Sequence, residues 1–207
     1  MIRDFQENDF NLCTALVNKV WGLDKHFSPA GLAVFVQNLF VGMSAANSNF
    51  LKVIEDNNTI VGLIFGKIKK QKCYKNSYSG ILGFLKLIKQ LFTIKGVSFG
   101  EKYNLLKGII SHEKKRKKVE SKKSSEVNLF AVHPDSQGKG YGKKLINEFI
   151  QTCKQYGVKR LVLETDADCN YGFYENIGFK HIASFESKLL KRFSEKSSET
   201  FIYELKF

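Results

Sequence analysis

The segment from Asp135 to Leu145, DSQGKGYGKKL, sets glycines at alternate positions, Gly138, Gly140 and Gly142, and follows them with two lysines and an amphipathic run. Glycine lets a backbone take positive φ and lets a ligand approach the main chain closely. At the mouth of a helix the first N–H groups lack internal partners, and the helix dipole adds partial positive charge there. Phosphate or diphosphate is the natural guest. A P-loop would need Gly-x-x-x-x-Gly-Lys followed by Ser or Thr, but Lys143 is followed by Lys144, so the magnesium-binding hydroxyl is missing. A dinucleotide fingerprint would need Gly-x-Gly-x-x-Gly near the start of a βαβ unit, whereas the spacing here is Gly-x-Gly-x-Gly, deep in the chain.

The elements around this loop follow from periodicity. Met1 to Phe5 reads as a short strand. Leu12, Cys13, Leu16, Val17, Val20 and Trp21 have helical spacing behind an Asn8/Asp9 cap. Ser28-Pro29 predicts a second start, serine as cap and proline in the first turn, for a helix carrying Leu32, Phe35, Val36, Leu39 and Phe40. Phe50–Glu55 and Thr59–Ile68 are β-rich and joined by DNN, a hairpin. Residues 71 to about 124 break the rhythm. They read as an insertion with a helix through Ile81 to Phe92, a second around Tyr103 to Ile110, and a mobile basic end, HEKKRKKVESKKSS. Order returns at Val127 with the strand VNLFAV, then the glycine loop, then a helix from Lys143 to Tyr156 ended by Gly157. VKRLVLET is a further strand, NYGFYENIGF a short helical turn, and Ile182–Ser187 and Thr200–Phe207 are the last two strands. The string β-α-α-β-β-(insertion)-β-α-β-α-β-β predicts a mixed α/β fold with one central sheet.

Composition sets the bounds. A chain of 207 residues with 18 phenylalanines can fill one domain core. The net charge of +13 favours anionic partners. Cys13, Cys73, Cys153 and Cys169 show neither a Cys-x-x-Cys pair nor regular spacing with histidine, so neither a metal site nor a disulfide framework is expected. Met1 to Asp9 is polar and does not read as a signal peptide. Ile81–Phe99, the longest apolar region, is interrupted by Lys86, Lys89 and Lys95 and does not read as a transmembrane segment. The expected location is cytoplasmic. His133, beside Pro134, reads as a loop cap or an exposed side chain.

Two motifs together point further. Gln137-Gly138-Lys139-Gly140-Tyr141-Gly142 fits Gln/Arg-x-x-Gly-x-Gly/Ala at every required position, and FYENIGF, Phe173 to Phe179, follows one helix and one strand later. LFAVHPDSQGKGYGKKLI closely resembles the acyl-CoA-binding motif of the GNAT superfamily of N-acetyltransferases, and FYENIGF resembles that superfamily's second signature. The resemblance implies a central, mixed but mostly antiparallel sheet flanked by helices, over one domain of residues 1–207. The insertion at about 71–124 precedes the fourth strand, where comparable enzymes usually have a short turn.

The resemblance also implies a site. The diphosphate of acetyl-CoA would sit on the amides of Gln137, Gly138, Lys139, Gly140, Tyr141 and Gly142. The pantetheine arm would pair with the main chain of Phe130, Ala131 and Val132 where the fourth and fifth strands part. Tyr174 would protonate the leaving sulfur, since a phenol of pKa about 10 can still donate at neutral pH. Glu126, placed by alternation on one strand face with Asn128 and Phe130, is the candidate base. The family often has asparagine where this chain has Ala167; Asn170 is the nearby substitute for holding the CoA arm. No metal is expected. The reaction would move an acetyl group from acetyl-CoA to a primary amine of a small molecule. Alternatives are a protein or peptide acceptor, or a non-catalytic module binding acyl-CoA or, through Lys114–Lys123, nucleic acid. The sequence carries no nucleic-acid-binding motif, and it is compatible with a homodimer.

Overall fold

The computed structural model describes residues 1–69, 71–119, 124–194 and 196–207. In chain order the elements are β1 (Ile2–Asp4), α1 (Phe10–Trp21), α2 (Leu23–His26), α3 (Ala30–Ala46), β2 (Phe50–Asp56), β3 (Thr59–Lys67), α4 (Gly80–Thr93), α5 (Phe99–Val119), β4 (Ser125–Val132), α6 (Tyr141–Gln155), β5 (Arg160–Asp166), α7 (Gly172–Glu175), β6 (Lys180–Glu186) and β7 (Glu199–Lys206). The strands form a seven-stranded sheet in the order β1-β2-β3-β4-β5-β7-β6. Only β4 and β5 run parallel; the other neighbours are antiparallel. This is the mixed, mostly antiparallel sheet that the family resemblance implies.

Each face of the sheet has its own core. On one face α1, α3, α4 and α5 pack around Val17, Leu32, Phe65, Leu91 and Leu105. On the other, α6 lays Leu145, Ile146, Phe149 and Cys153 on the sheet, and Phe179 closes the end. The amphipathic period of α6 thus buries one stripe and leaves the opposite one wet. The β2–β3 turn places Asn57 and Asn58 at φ 50° and 58°, the left-handed pair that a tight hairpin requires and asparagine tolerates.

Local chemistry departs from expectation at three helix ends. Neither α1 nor α3 has a side-chain cap; the serine cap expected at Ser28 is absent, and Pro29 itself holds the cap position in extended conformation. Asp9 at the start of α1 is instead clasped by Arg3 at 2.7 and 2.8 Å and by the amide of Gln6 at 2.8 Å. The Arg3 hydrogen bond holds the Asp9 carboxyl below the usual carboxylate range against its burial. The third departure is α5. The basic run expected to be mobile is helical through Lys114–Lys118, within an element described as far as Val119; its residues 120–123 lie outside the described residues.

The two helices of the insertion are tied to each other and to the sheet. Buried Lys102 of α5 donates to the carbonyls of Phe92 and Ile94 at 3.2 and 2.6 Å, satisfying the last turn of α4 with a cation where the helix dipole favours one. At the far end of α5, Lys115 Nζ donates to the Glu186 carbonyl at 2.7 Å.

Candidate functional site

The site begins with an irregularity in β4. Phe65 pairs with Leu129 and Gly66 with Val127, so Asn128 is an extra residue, a β-bulge. Its Nδ2 donates to the Asn47 carbonyl at 3.0 Å and to Ser48 Oγ at 2.9 Å, and its carbonyl accepts from Ser44 Oγ at 3.3 Å. The end of α3 thereby holds the bulge. An added residue reverses the alternation of faces beyond it. Val127 lies in the core under α6, Leu129 and Ala131 in the opposite core, and Phe130 packs back on the α6 side. The expectation that Glu126, Asn128 and Phe130 share a face is therefore wrong: Phe130 lies on the face opposite the other two.

The bulge also ends the pairing of β4 with β5. Their register runs from Ser125↔Leu161 to Val127↔Leu163 and stops, and the strands part beyond it. His133 donates to the Val61 carbonyl at 2.9 Å, so the alternating antiparallel ladder bonds Ala131 and Leu129 to β3. The main-chain groups of Phe130 and Val132 consequently face the gap. Ala131, expected beside them, has its main chain committed to Leu63.

At the mouth of this gap the glycine loop turns into α6. Gly138 and Gly140 take φ 76° and 79°, which a Cβ would oppose. Gly142 serves differently: it lies in the first turn, where a Cβ would meet Phe130 and Phe173 at 3.4 and 3.5 Å. The amides of residues 138–143 find no acceptor among the described residues, leaving a row of outward N–H groups at a helix start. Gln137, expected in that row, spends its N–H on the Pro134 carbonyl at 3.1 Å, while its Nε2 reaches the Val132 carbonyl at 3.4 Å. Tyr141 turns its hydroxyl away to Asp56 at 3.4 Å and offers only its amide. Lys139 is exposed on the loop. His133 caps the turn, accepting from the Asp135 amide at 3.2 Å.

Tyr174 comes from α7, on the α6 side of the gap. Its ring lies 5.4 Å from Phe173, 6.0 Å from Phe179 and 6.2 Å from Phe130. Its hydroxyl has no hydrogen-bond partner among the described residues and lines the cavity described below. Burial, with smaller contributions from Cys169 and Asp166, pushes the phenol well above its usual pKa, so it holds its proton at neutral pH. Asn170 is exposed on the preceding turn and uses its carbonyl to accept from the Phe173 amide at 3.2 Å; it does not line the cavity.

A cavity of about 1060 Å³ passes from the gap to the other face of the sheet, beneath α4 and α5. Glu126 lines it, 3.7 Å from Arg116 of α5. Three further residues there, His112, Glu164 and Cys169, escaped sequence reasoning. His112 of α5 sits with Nε2 2.9 Å from Glu164 of β5 and Nδ1 2.8 Å from Ser187 Oγ. Burial opposes its charge, but the Glu164 hydrogen bond and charge outweigh that, and the net shift is upward. Cys169 lies beside Tyr174, its thiol pushed up to about 11 by burial. The only available signal, His112 at the head of the basic run, reads as part of a mobile segment. Among the described residues no group of three His, Cys, Asp or Glu side chains is placed to hold a metal ion, and no helix is long and apolar enough to cross a membrane.

The model of the acetyltransferase (GNAT) family matches residues 24–179. The chain belongs to that family. The matched span of this GNAT acetyltransferase includes the glycine loop and Tyr174. Solved structures with the same fold include the ribosomal-protein-S18-alanine N-acetyltransferase of Escherichia coli, with 12% identity, TM-score 0.51 and coverage of 100% of this chain and 92% of that one. The Paia N-acetyltransferase of Thermoplasma acidophilum, solved with coenzyme A, has 15% identity, TM-score 0.55 and coverage of 100% and 98%. An aminoglycoside 6'-acetyltransferase type Ii has 13% identity, TM-score 0.57 and coverage of 100% and 96%. No curated protein matches this GNAT enzyme in sequence.

Proposed function

We propose that this enzyme transfers an acetyl group from acetyl-CoA to the primary amine of a small molecule by direct attack on the thioester. The observation that carries the reading is the row of unpartnered amides at residues 138–143 at the mouth of a gap that Tyr174 overlooks. The diphosphate rests on those amides. The pantetheine arm lies along β4 against the outward groups of Phe130 and Val132, and a strand N–H there takes the charge that develops on the carbonyl oxygen. Tyr174 gives its proton to the departing sulfur. The amine enters from the opposite face. At pH 7 an alkylammonium of pKa about 10.4 is neutral only about once in 2,500 molecules, roughly 4.6 kcal/mol uphill. Glu126, held by Arg116, takes the ammonium proton before attack.

The roof formed by α4 and α5 favours a small acceptor over a polypeptide, which would need an open groove. Part of the basic run is engaged within the fold, Lys115 with the Glu186 carbonyl and Arg116 with Glu113 and Glu126, which weighs against a nucleic-acid reading. The same reading places the enzyme in the cytoplasm as one domain over residues 1–207, acting alone or as a homodimer. Calorimetric titration with coenzyme A, paired with thiol release from acetyl-CoA and a panel of amines, tests it. Binding with amine-dependent release is expected; no heat with coenzyme A overturns the reading.

A further inference from the structure

The cavity beyond the gap has a definite chemistry. Its walls are built from Leu39 and Met43 of α3, Phe84 and Ile88 of α4, and Leu106 and Ile109 of α5. Each of these residues is half-buried, so part of its apolar surface is left uncovered by packed neighbours. Leaving such surface against water costs about 25 cal/mol per Å². The volume, about 1060 Å³, lies at the upper end of ligand-sized sites.

The carboxylates that line the cavity, Glu113, Glu126 and Glu164, are already matched. Glu164 faces His112 at 2.9 Å, Glu126 faces Arg116 at 3.7 Å, and Glu113 faces Arg116 at 3.3 Å. From Asn57 to Gly100 the sequence has no acidic residue, so α4 brings no carboxylate to the roof. Lys67, Lys69, Lys114 and Lys117 also line the cavity. A polyamine or amino-sugar acceptor, with several ammonium groups to place, would meet lysines and apolar walls.

We propose that the acceptor is a monoamine with an apolar body, of the n-alkylamine type, its amine at the Glu126 end and its chain among the α3, α4 and α5 side chains. The assignment rests on the acetyl-transfer reading above, and the test separates the two. Trp21, the only tryptophan of the chain, lines the apolar part of the cavity and reports occupancy without turnover. Tryptophan emission of the full-length protein with coenzyme A is followed while n-butylamine, n-hexylamine and n-octylamine are titrated, with agmatine and spermidine as contrasts. The expected result is a two- to fourfold gain in affinity per added methylene, with kcat/KM for thiol release rising along the same series. Agmatine and spermidine should give no saturable response in that range.

Equal or tighter binding of spermidine overturns the proposal. So does a Trp21 response to octanoyl-CoA but not to octylamine, which would give the cavity to the acyl chain. Chain-length-dependent binding of octylamine without thiol release overturns the transfer reading and leaves the apolar-amine site standing. Ile88→Phe and Ile109→Phe, on separate helices, each fill the cavity without adding charge. In whichever variants melt like the parent, octylamine binding should weaken at least tenfold; unchanged affinity refutes the assignment.

Discussion

Replacing Tyr174 by phenylalanine separates chemistry from architecture. The ring contacts with Phe130, Phe173, Phe179 and Tyr203, at centroid distances of 5.4 to 6.4 Å, survive the change. The lost hydroxyl has no partner among the described residues, so no intramolecular hydrogen bond is broken. Stability should therefore move by less than about 0.5 kcal/mol. A positioned proton donor contributes about 10²- to 10⁴-fold, or about 2.7 to 5.4 kcal/mol of barrier. Steady-state thiol release should show kcat down by at least about a hundredfold, while calorimetry shows acetyl-CoA affinity within about twofold of the parent. Because burial raises the phenol's pKa, the wild-type rate should not lose its acid between pH 7 and pH 9. An unchanged kcat removes Tyr174 from the mechanism. A melting temperature lowered by more than about 5 °C alongside kcat would make its role structural.

Gly140→Ala meets no atom within 4 Å, so its cost is the φ of 79° alone, about 1 to 2 kcal/mol, and the loop should relax partly off its geometry. Thermal unfolding should register that loss, and calorimetry a coenzyme A affinity weakened about tenfold; an unaltered affinity would mean the amide row is not the diphosphate seat. His112 has a folded pKa above its ordinary 6.5, facing Glu164 and Glu113 with Arg116 in opposition. Its contribution to stability is therefore complete below pH 6.5 and lost as pH rises through the folded value. Melting temperature should fall across that window in the parent and flatten in His112→Gln; parallel curves would show that the His112–Glu164 pair does not fasten α5.

What could be read from sequence was local. Gly138 and Gly140 announce their backbone because only glycine takes that φ cheaply, and the Phe173–Phe179 signature places Tyr174 on a short helix without knowledge of distant residues. The bulge at Asn128 was illegible because a strand's two-residue period carries no mark of an inserted residue. What selects it is tertiary: Asn47 and Ser48, far away in sequence, supply the partners. The same holds for α5. Lysine, arginine and glutamate are good helix formers, so the run has the propensity, but its position is fixed by His112, Lys115 and Arg116 reaching β5, the end of β6 and β4.

The gap makes the sheet a partition with an opening between β4 and β5. The bulge puts Phe130 on the α6 side with Tyr174 and the amide row, and Glu126 on the α5 side with His112 and Glu164. An anionic cosubstrate and an uncharged amine want opposite surroundings, one unsatisfied donors, the other a desolvated enclosure. In the proposed reaction the sheet itself keeps the two apart. Helices inserted between β3 and β4 would then reshape the proposed acceptor side while β4, α6 and the amide row stay as they are. Under that reading a chain can keep its glycine loop intact and still carry an acceptor chamber that the loop says nothing about.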